Sequence, residues 1–281
     1  MSKISVVVAT KNEERNIERL LISIVNQTFK DWEIIVVDNN SSDKTKEIAL
    51  KYTDKVFNKG PERSAQRNFG VKKAHGRYIL ILDADMELTD QVLMDCVRIM
   101  KNKKYKALVI AEKTVGQGMM AKIRAFERSM YMGDMSVEVA RFFERKVFDE
   151  FGGYDLNLTG AEDYDLPYRI SKKYEIGRSK KWIYHYESDL GFWRQLNKKY
   201  YYAKRSARYV NKHPEMVRQQ GILFLRKAYL RHWKKFIAKP GLSIIFLLVR
   251  ISETLAAALG YLAAVGWRQF MVSLTYIFKN H

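Results

Sequence analysis

The sequence predicts an α/β fold, a sheet of repeated strand–helix units with helices on both faces. Three observations carry this. Short continuous apolar runs recur at Ile4–Ala9, Glu33–Val37 and Tyr78–Leu82, as buried parallel strands require. Each run ends in a polar turn. Helical stripes separate the runs, the clearest being Ile17, Leu20, Leu21 and Ile24, a spacing of three and four that puts the apolar groups on one face.

Thr10 and Glu13 read as a Thr-x-x-Glu capping box opening that first helix. After the second strand, the turn Asn39–Asp43 leads into a helix through Tyr52, and Lys55–Asn58 is a short further strand. Gly60-Pro61 breaks the chain, Pro61 suits the first turn of the next helix, and that helix runs to Ala74 with His75-Gly76 as its stop. Beyond residue 105 the pattern weakens. Strands are expected at Ala107–Glu112, Val139–Phe143 and Trp182–Glu187, with a helix over Met119–Tyr131. In sheets of this kind ligands bind beyond the carboxyl ends of the strands, where Thr10, Asp38 and Asp83 fall.

The chain has 281 residues, 47% of them hydrophobic and 29% charged, enough to bury a core and unlike a disordered chain. Its one cysteine excludes a disulfide scaffold or a Cys-rich zinc site and points to a reducing compartment. The N-terminus leads straight into a strand, so no secretory signal is expected. The formal charge is +19, which implies a polyanionic partner: nucleic acid, an anionic membrane or phosphorylated substrates. The excess is localised. Residues 1–165 hold 27 basic and 26 acidic groups, residues 166–240 hold 20 and 4, and the last 41 hold three and one.

Asp83 and Asp85 lie two residues apart at the end of a strand, where both carboxylates can reach one divalent cation; oxygen ligands suit Mg²⁺ or Mn²⁺. Taken alone, this pair is as readily a solvated turn. Its neighbours change that. The chain reads VVVATKNEERNI (6–17), IIVVDNNSSDKT (34–45), GPERSAQRNFGVKKAHGRYILILDADM (60–86), VFDEFGGYD (147–155) and GAEDYDLPYRI (160–170). In this order the segments resemble the successive motifs of family 2 glycosyltransferases over roughly residues 3–190.

The resemblance implies a GT-A nucleotide-sugar fold: a mixed sheet flanked by helices, here followed by C-terminal amphipathic and hydrophobic helices. It implies that Thr10, Glu13 and Asp38 bind the nucleoside, with Asp38 accepting from a base N–H. Asp83 lies near ribose and metal, Asp85 is the direct metal ligand, and His185 in Trp182–Glu187 completes a Mn²⁺ or Mg²⁺ site. Arg67 matches a recurring Arg-Asn, with either a diphosphate contact or a solvated helical position open to it. Glu162 and Asp163 match Glu-Asp-x-Asp, in which Asp163 is the general base for an acceptor hydroxyl; acids favoured by a helix dipole are the plainer reading. Pro167 fits only a first helical turn comfortably, which places these acids at the helix entrance. A phosphate acceptor would need no base, so the pair favours a hydroxyl. The implied reaction is inverting, from a UDP, GDP or dTDP sugar to a glycan or lipid-linked acceptor.

From residue 190 onward, Trp193, Leu196, Tyr200, Ala203, Ala207 and Val210, then Ile222, Leu225, Tyr229, Trp233 and Phe236, recur at helical spacing among many Lys and Arg, with Pro214 interrupting. A basic helix with an aromatic apolar flank has the composition of a membrane-surface helix, although the same stripes also serve to pack on a protein body. Gly241–Trp267 is apolar but broken by Arg250 and Glu253, which can pair at i,i+3; spanning and lying in the interface are both open. The expected organisation is a catalytic domain at 1–190, basic helices at 191–240 and a membrane-associated tail at 241–281, working on the cytoplasmic face of the membrane and without nucleic acid as partner. Three other readings are weaker. A nucleotidyltransferase usually carries a Gly-rich first turn, which Thr10–Glu13 lacks; a nucleic-acid-binding protein leaves the ordered acids unexplained, as does a polyprenyl-phosphate acceptor the Glu-Asp pair.

Overall fold

The computed structural model describes residues 4–134, 136–187, 191–220 and 226–278. In chain order the elements are β1 (Ile4–Thr10), α1 (Ile17–Val25), β2 (Trp32–Asp38), α2 (Thr45–Leu50), β3 (Val56–Asn58), α3 (Arg63–Lys73), β4 (Tyr78–Asp83), β5 (Met86–Leu88), α4 (Val92–Met100), β6 (Tyr105–Val115), α5 (Gly118–Tyr131), β7 (Ala140–Glu144), α6 (Arg145–Glu150), α7 (Glu162–Ser171) and β8 (Glu175–Tyr186). They are followed by α8 (Phe192–Lys204), α9 (Ala207–Lys212), α10 (Pro214–Gln220), α11 (Lys227–Arg231), α12 (Trp233–Ala238) and α13 (Pro240–Phe278).

The chain forms two compact units. The first comprises residues 1–115, 138–156 and 162–186. Its eight-stranded sheet has the order β3-β2-β1-β4-β7-β6-β8-β5. The strands read most clearly from sequence, β1, β2 and β4, pair in parallel, and the short β3 joins β2 in the same direction. The sheet then becomes mixed: β7 is antiparallel to β4 and β6, β8 is parallel to β6, and β5 is antiparallel to β8. Side chains alternate across the pleat. Val6 and Val8 pack with Leu20, Leu21 and Leu93 on one face, while Val7, Ile35 and Ile81 pack with Val71, Val147 and Leu166 on the other.

Two local expectations are corrected. The Thr10–Glu13 capping box does not form: α1 begins at Ile17 with Asn16 as its cap residue, and Thr10 closes β1. Loop-to-loop bonds prevail over the box. The Glu13 N–H donates to Thr45 Oγ1 at 2.7 Å, and Asn12 N–H donates to Ser41 Oγ at 2.8 Å, with Asn12 and Asn40 in the left-handed region that Asn tolerates. Pro167 lies inside α7 rather than in its first turn. Having no N–H, it leaves the carbonyl of Asp163, four residues back, without the usual helical donor. Glu162 and Asp163 nevertheless open the helix, as expected.

The second unit comprises residues 116–137, 157–161 and 187–281. It therefore takes α5 out of the stretch expected as one catalytic domain and joins it to the basic and apolar helices. Its core is aromatic: Phe126, Tyr131, Tyr229 and Phe246 are buried together with Ile123, Met130 and Val249. Pro214 separates α9 from α10 as expected. The aromatic stripe is only partly covered, Trp193 being 75% exposed; Ile222 and Leu225 lie outside the described residues. α13 is long and apolar enough to cross a membrane by length and composition, with a break at Gly266 (φ 75°).

Candidate active site

Every side chain of the expected site belongs to the first unit. Register explains the gathering. β1, β2 and β4 run in parallel with Thr10 opposite Asp38 and Ala9 opposite Asp83, so the residues at their carboxyl ends share one edge. Gln66 on α3, not singled out from sequence, fastens that edge: its amide donates to the carbonyls of Thr10 and Val37 at 2.9 and 2.7 Å. Asp38 is buried and accepts from the Ser41 N–H at 2.7 Å and the Ser41 hydroxyl at 2.5 Å. The Thr10 hydroxyl is buried without a partner.

Arg67 is the hub. It is fully buried, donating from Nη1 to Asp163 Oδ1 at 2.6 Å and from Nη2 to Asp83 Oδ1 at 2.7 Å, with Glu162 Oε1 at 3.4 Å. It thus lies beneath three carboxylates, fully buried and not in the solvated helical position considered for it. The next residue, Asn68, explains the Arg-Asn pair: it donates to the Tyr154 carbonyl at 2.8 Å and accepts from the Tyr154 N–H at 2.9 Å, and the Tyr154 ring lies over the Arg67 guanidinium.

Electrostatics follow this geometry. Burial raises the Asp83 carboxyl, but the Arg67, Arg141 and Arg63 guanidiniums outweigh it and hold the group well below the usual carboxylate range. Glu162 moves the other way, pushed up by burial and by Asp163 against Arg63 and Arg67. Glu13 is also raised, by burial first and then by the nearby charges of Asp85, Asp83 and Asp43, against a hydrogen bond from Asn16. Acids that raise one another mark a place where a cation is favourable.

Asp85 and His185 stand together because β5 pairs with β8, with Met86 opposite His185. Asp85 Oδ2 is 3.4 Å from His185 Nε2, and Asp85 Oδ1 is buried without a hydrogen-bond partner. His185 Nδ1 faces Glu112 Oε2 at 2.9 Å, and Glu112 Oε1 accepts from Arg141 Nε at 2.6 Å. Burial lowers the imidazolium, but hydrogen bonds with Asp85 and Glu112 prevail and push it up to about 10. A metal there would take the place of the Nε2 proton, since an imidazole whose Nδ1–H is held by a carboxylate presents its Nε2 lone pair once that proton has left. The orphaned Asp85 oxygen and this nitrogen fit one divalent ion, the mixed donor set suiting Mn²⁺. Among the described residues no group of three such ligands is present, and both Asp83 oxygens face guanidiniums, Arg67 at 2.7 Å and Arg141 at 3.4 Å.

Sequence reasoning missed Glu112, Arg141, Tyr154 and Arg169. Arg169 pairs with buried Asp165 at 2.7 Å and donates to the carbonyls of Phe151 and Gly153, tying the Gly-Gly loop to α7. Only the i,i+4 spacing of Asp165 and Arg169 carried a signal; Glu112 and Arg141 are ordinary charges on weakly patterned strands.

Residues 5–150 match the sequence profile of glycosyl transferase family 2. The chain belongs to this family. A relative, the GalNAc(5)-diNAcBac-PP-undecaprenol beta-1,3-glucosyltransferase of Campylobacter jejuni, is 39% identical over 204 residues, 63% of this chain and 65% of the relative. The poly(ribitol-phosphate) beta-N-acetylglucosaminyltransferase TarS of Staphylococcus aureus is 34% identical over 130 residues, 42% of this chain and 22% of TarS. The chain thus spans less than two thirds of the length of these relatives. Among solved structures, residues 1–349 of TarS align with a TM-score of 0.58 at 20% identity over 94% of this chain and 92% of that one. The mannosyltransferase PcManGT of Pyrobaculum calidifontis, solved with GDP-Man and Mn²⁺, aligns with a TM-score of 0.58 at 18% identity over 97% and 78%. These likenesses establish the GT-A fold of this family 2 member.

Proposed function

We propose that the protein transfers a sugar, with inversion, from a nucleoside diphosphate donor to a hydroxyl of a lipid-linked saccharide at the cytoplasmic membrane surface. The observation that carries this reading is the Arg67 hub. One buried guanidinium ties Asp83, at the edge where a nucleotide sugar binds in this fold, to Asp163 at the mouth of α7. Asp163 remains 22% exposed and so is open to an acceptor.

The steps assigned to the chain are these. Thr10, Glu13 and Asp38 hold the nucleoside at the ends of β1 and β2. Asp163, oriented by Arg67, takes the proton of the acceptor hydroxyl as that oxygen attacks the anomeric carbon from the face opposite the leaving diphosphate; one displacement inverts the centre. Glu162 and Asp83 keep Arg67 in place from either side. Asp85 and His185 hold the divalent cation, Mn²⁺ or Mg²⁺, which when bound supplies positive charge against the diphosphate. Mn²⁺ in the Pyrobaculum enzyme supports this choice, as UDP-GlcNAc in a TarS complex supports a nucleotide-sugar donor. The lipid-linked acceptor is supported by the name of the Campylobacter relative and by the exposed apolar groups of α13.

Asp163→Asn keeps the shape of the side chain and removes the base. Its kcat is expected to fall by about 10²–10⁴-fold, with donor binding followed by thermal shift against UDP, GDP and dTDP sugars with Mn²⁺ unchanged. Full transfer by this variant would refute the assignment.

A further inference from the structure

The second unit gathers more positive than negative charge in one partly buried cluster. Arg124, Lys199 and Arg250 meet two carboxylates, Glu127 and Glu253, among the described residues. Glu127 accepts from Arg250 at 2.8 Å, from Arg124 at 3.2 Å and from the Tyr229 hydroxyl at 3.0 Å, and also from the Tyr131 hydroxyl. Glu253 pairs with Arg124 at 2.5 Å and with Arg250. The two arginines therefore use both acids. Among the described residues Lys199, on the helix facing them, reaches only Glu253, at 3.9 Å, beyond hydrogen-bond distance. Arg226 adds a further cation at the Glu127 end, bonding the Tyr131 hydroxyl at 2.6 Å.

A cation whose counter-ion is held more closely by other cations is poorly compensated, and buried charges are usually paired or bound to a ligand or a metal. Burial, then the charges of Arg124 and Arg250, hold the Lys199 ammonium well below the usual lysine range. Lys199 is also the open side of the cluster, 29% exposed, whereas Arg124 is 13% and Arg250 1% exposed. The cluster therefore presents at its solvent edge an amine that an arriving anion would favour in its charged form, with a rigid guanidinium, Arg124, behind it.

What an anion would be attached to is indicated by α13. Arg250 and Glu253 point inward, while Ile244, Leu248, Leu255 and Leu259 on the same helix are 61%, 60%, 61% and 60% exposed. An anion site backed by a helix with bare aliphatic groups suits a ligand with an anionic head and an apolar chain. We propose that the Lys199–Arg124 cluster binds the phosphate or diphosphate that joins the acceptor saccharide to its lipid. This rests on the lipid-linked acceptor proposed above and extends it to that acceptor's anionic linkage.

The test is a titration of the full chain in EDTA with inorganic pyrophosphate and, separately, with a short-chain prenyl diphosphate. Both are expected to bind saturably. Lys199→Gln weakens both by about tenfold or more, the weight of one charge-assisted hydrogen bond, and Lys199→Arg restores them. Lys198→Gln, an exposed neighbour, leaves them unchanged. The thermal midpoint separates ligand from scaffold. If Lys199 serves a ligand, Lys199→Gln without anion melts no lower than the wild type, because a group with no hydrogen-bonded counter-ion has been removed.

Equal pyrophosphate affinity in the wild type and Lys199→Gln, an equal loss in Lys198→Gln, or a lower midpoint for Lys199→Gln overturns the proposal. Pyrophosphate binding without prenyl diphosphate binding overturns the lipid source. No catalysis enters these readings, so failure of the Asp163 assignment and failure of the anion site are seen in separate experiments.

Discussion

Three carboxylates converge on a guanidinium with no exposed surface at Arg67. The sequence showed each partner but not the convergence, because Asp83 and Asp163 come from separate elements eighty residues apart. Glu112 is the clearer case of an illegible residue. Its signal in the chain is nil, yet it accepts from both His185 and Arg141. Such a partner fixes the imidazole and strengthens it as a ligand. Glu112→Gln is expected to lower Mn²⁺ affinity by about 10–100-fold while leaving the fold intact, measured by direct Mn²⁺ titration; unchanged affinity would remove Glu112 from this role.

At the level of elements, strands were easier to read than their ends. β1, β2 and β4 follow from uninterrupted apolar runs, because burial on both faces requires apolar groups at every position. The exceptions inside them are functional to the fold. Buried Ser5 donates to Glu33 at 2.6 Å and accepts from the Gly76 N–H at 2.8 Å, while Glu33 also accepts from Lys55 at 2.5 Å and from the His75 N–H at 2.7 Å. Gly76 is required there, since a Cβ would lie 2.6 Å from the Ser5 nitrogen. Burial raises Glu33, but the bonds from Lys55, Ser5 and His75 outweigh it and bring it down to about 2. A depressed carboxyl stabilises the fold above its unfolded value near 4.5, and that contribution is lost as pH falls from about 4.5 through 2. Glu33→Gln should therefore flatten the acid limb of stability against pH, of the order of 3 kcal/mol at neutral pH, in urea unfolding; an unchanged limb would contradict it. The missed α1 cap has a related cause: the box was present in sequence, but partners thirty residues away competed better for the same groups.

On the scale of the whole molecule, the localised charge and the interrupted apolar tail have one explanation in the second unit. Arg250 and Glu253, which break the tail in sequence, turn inward to Arg124 and Glu127, so the outward groups of α13 are left aliphatic. Such a surface, next to many Lys and Arg, suits an anionic membrane. Replacing Leu248 and Leu255 by Ser removes two exposed aliphatic groups, each worth about 1.5–3 kcal/mol if buried in lipid. Sedimentation with anionic vesicles should then fall by at least about tenfold, and added salt should weaken what remains. Unchanged sedimentation of the double variant would refute α13 as the membrane face.

The sequence by itself determined the α/β class, the strand ends on which Thr10, Asp38 and Asp83 sit, and the family, since these depend on local apolar runs and on motif order. Only the tertiary structure decided what the charges do. It buried Arg67 among acids, set Glu112 behind His185, and drew α5 out of the middle of the chain to build the unit that holds Lys199. Charged side chains take their meaning from partners distant in sequence, and no pattern along the chain records which ones fold into reach.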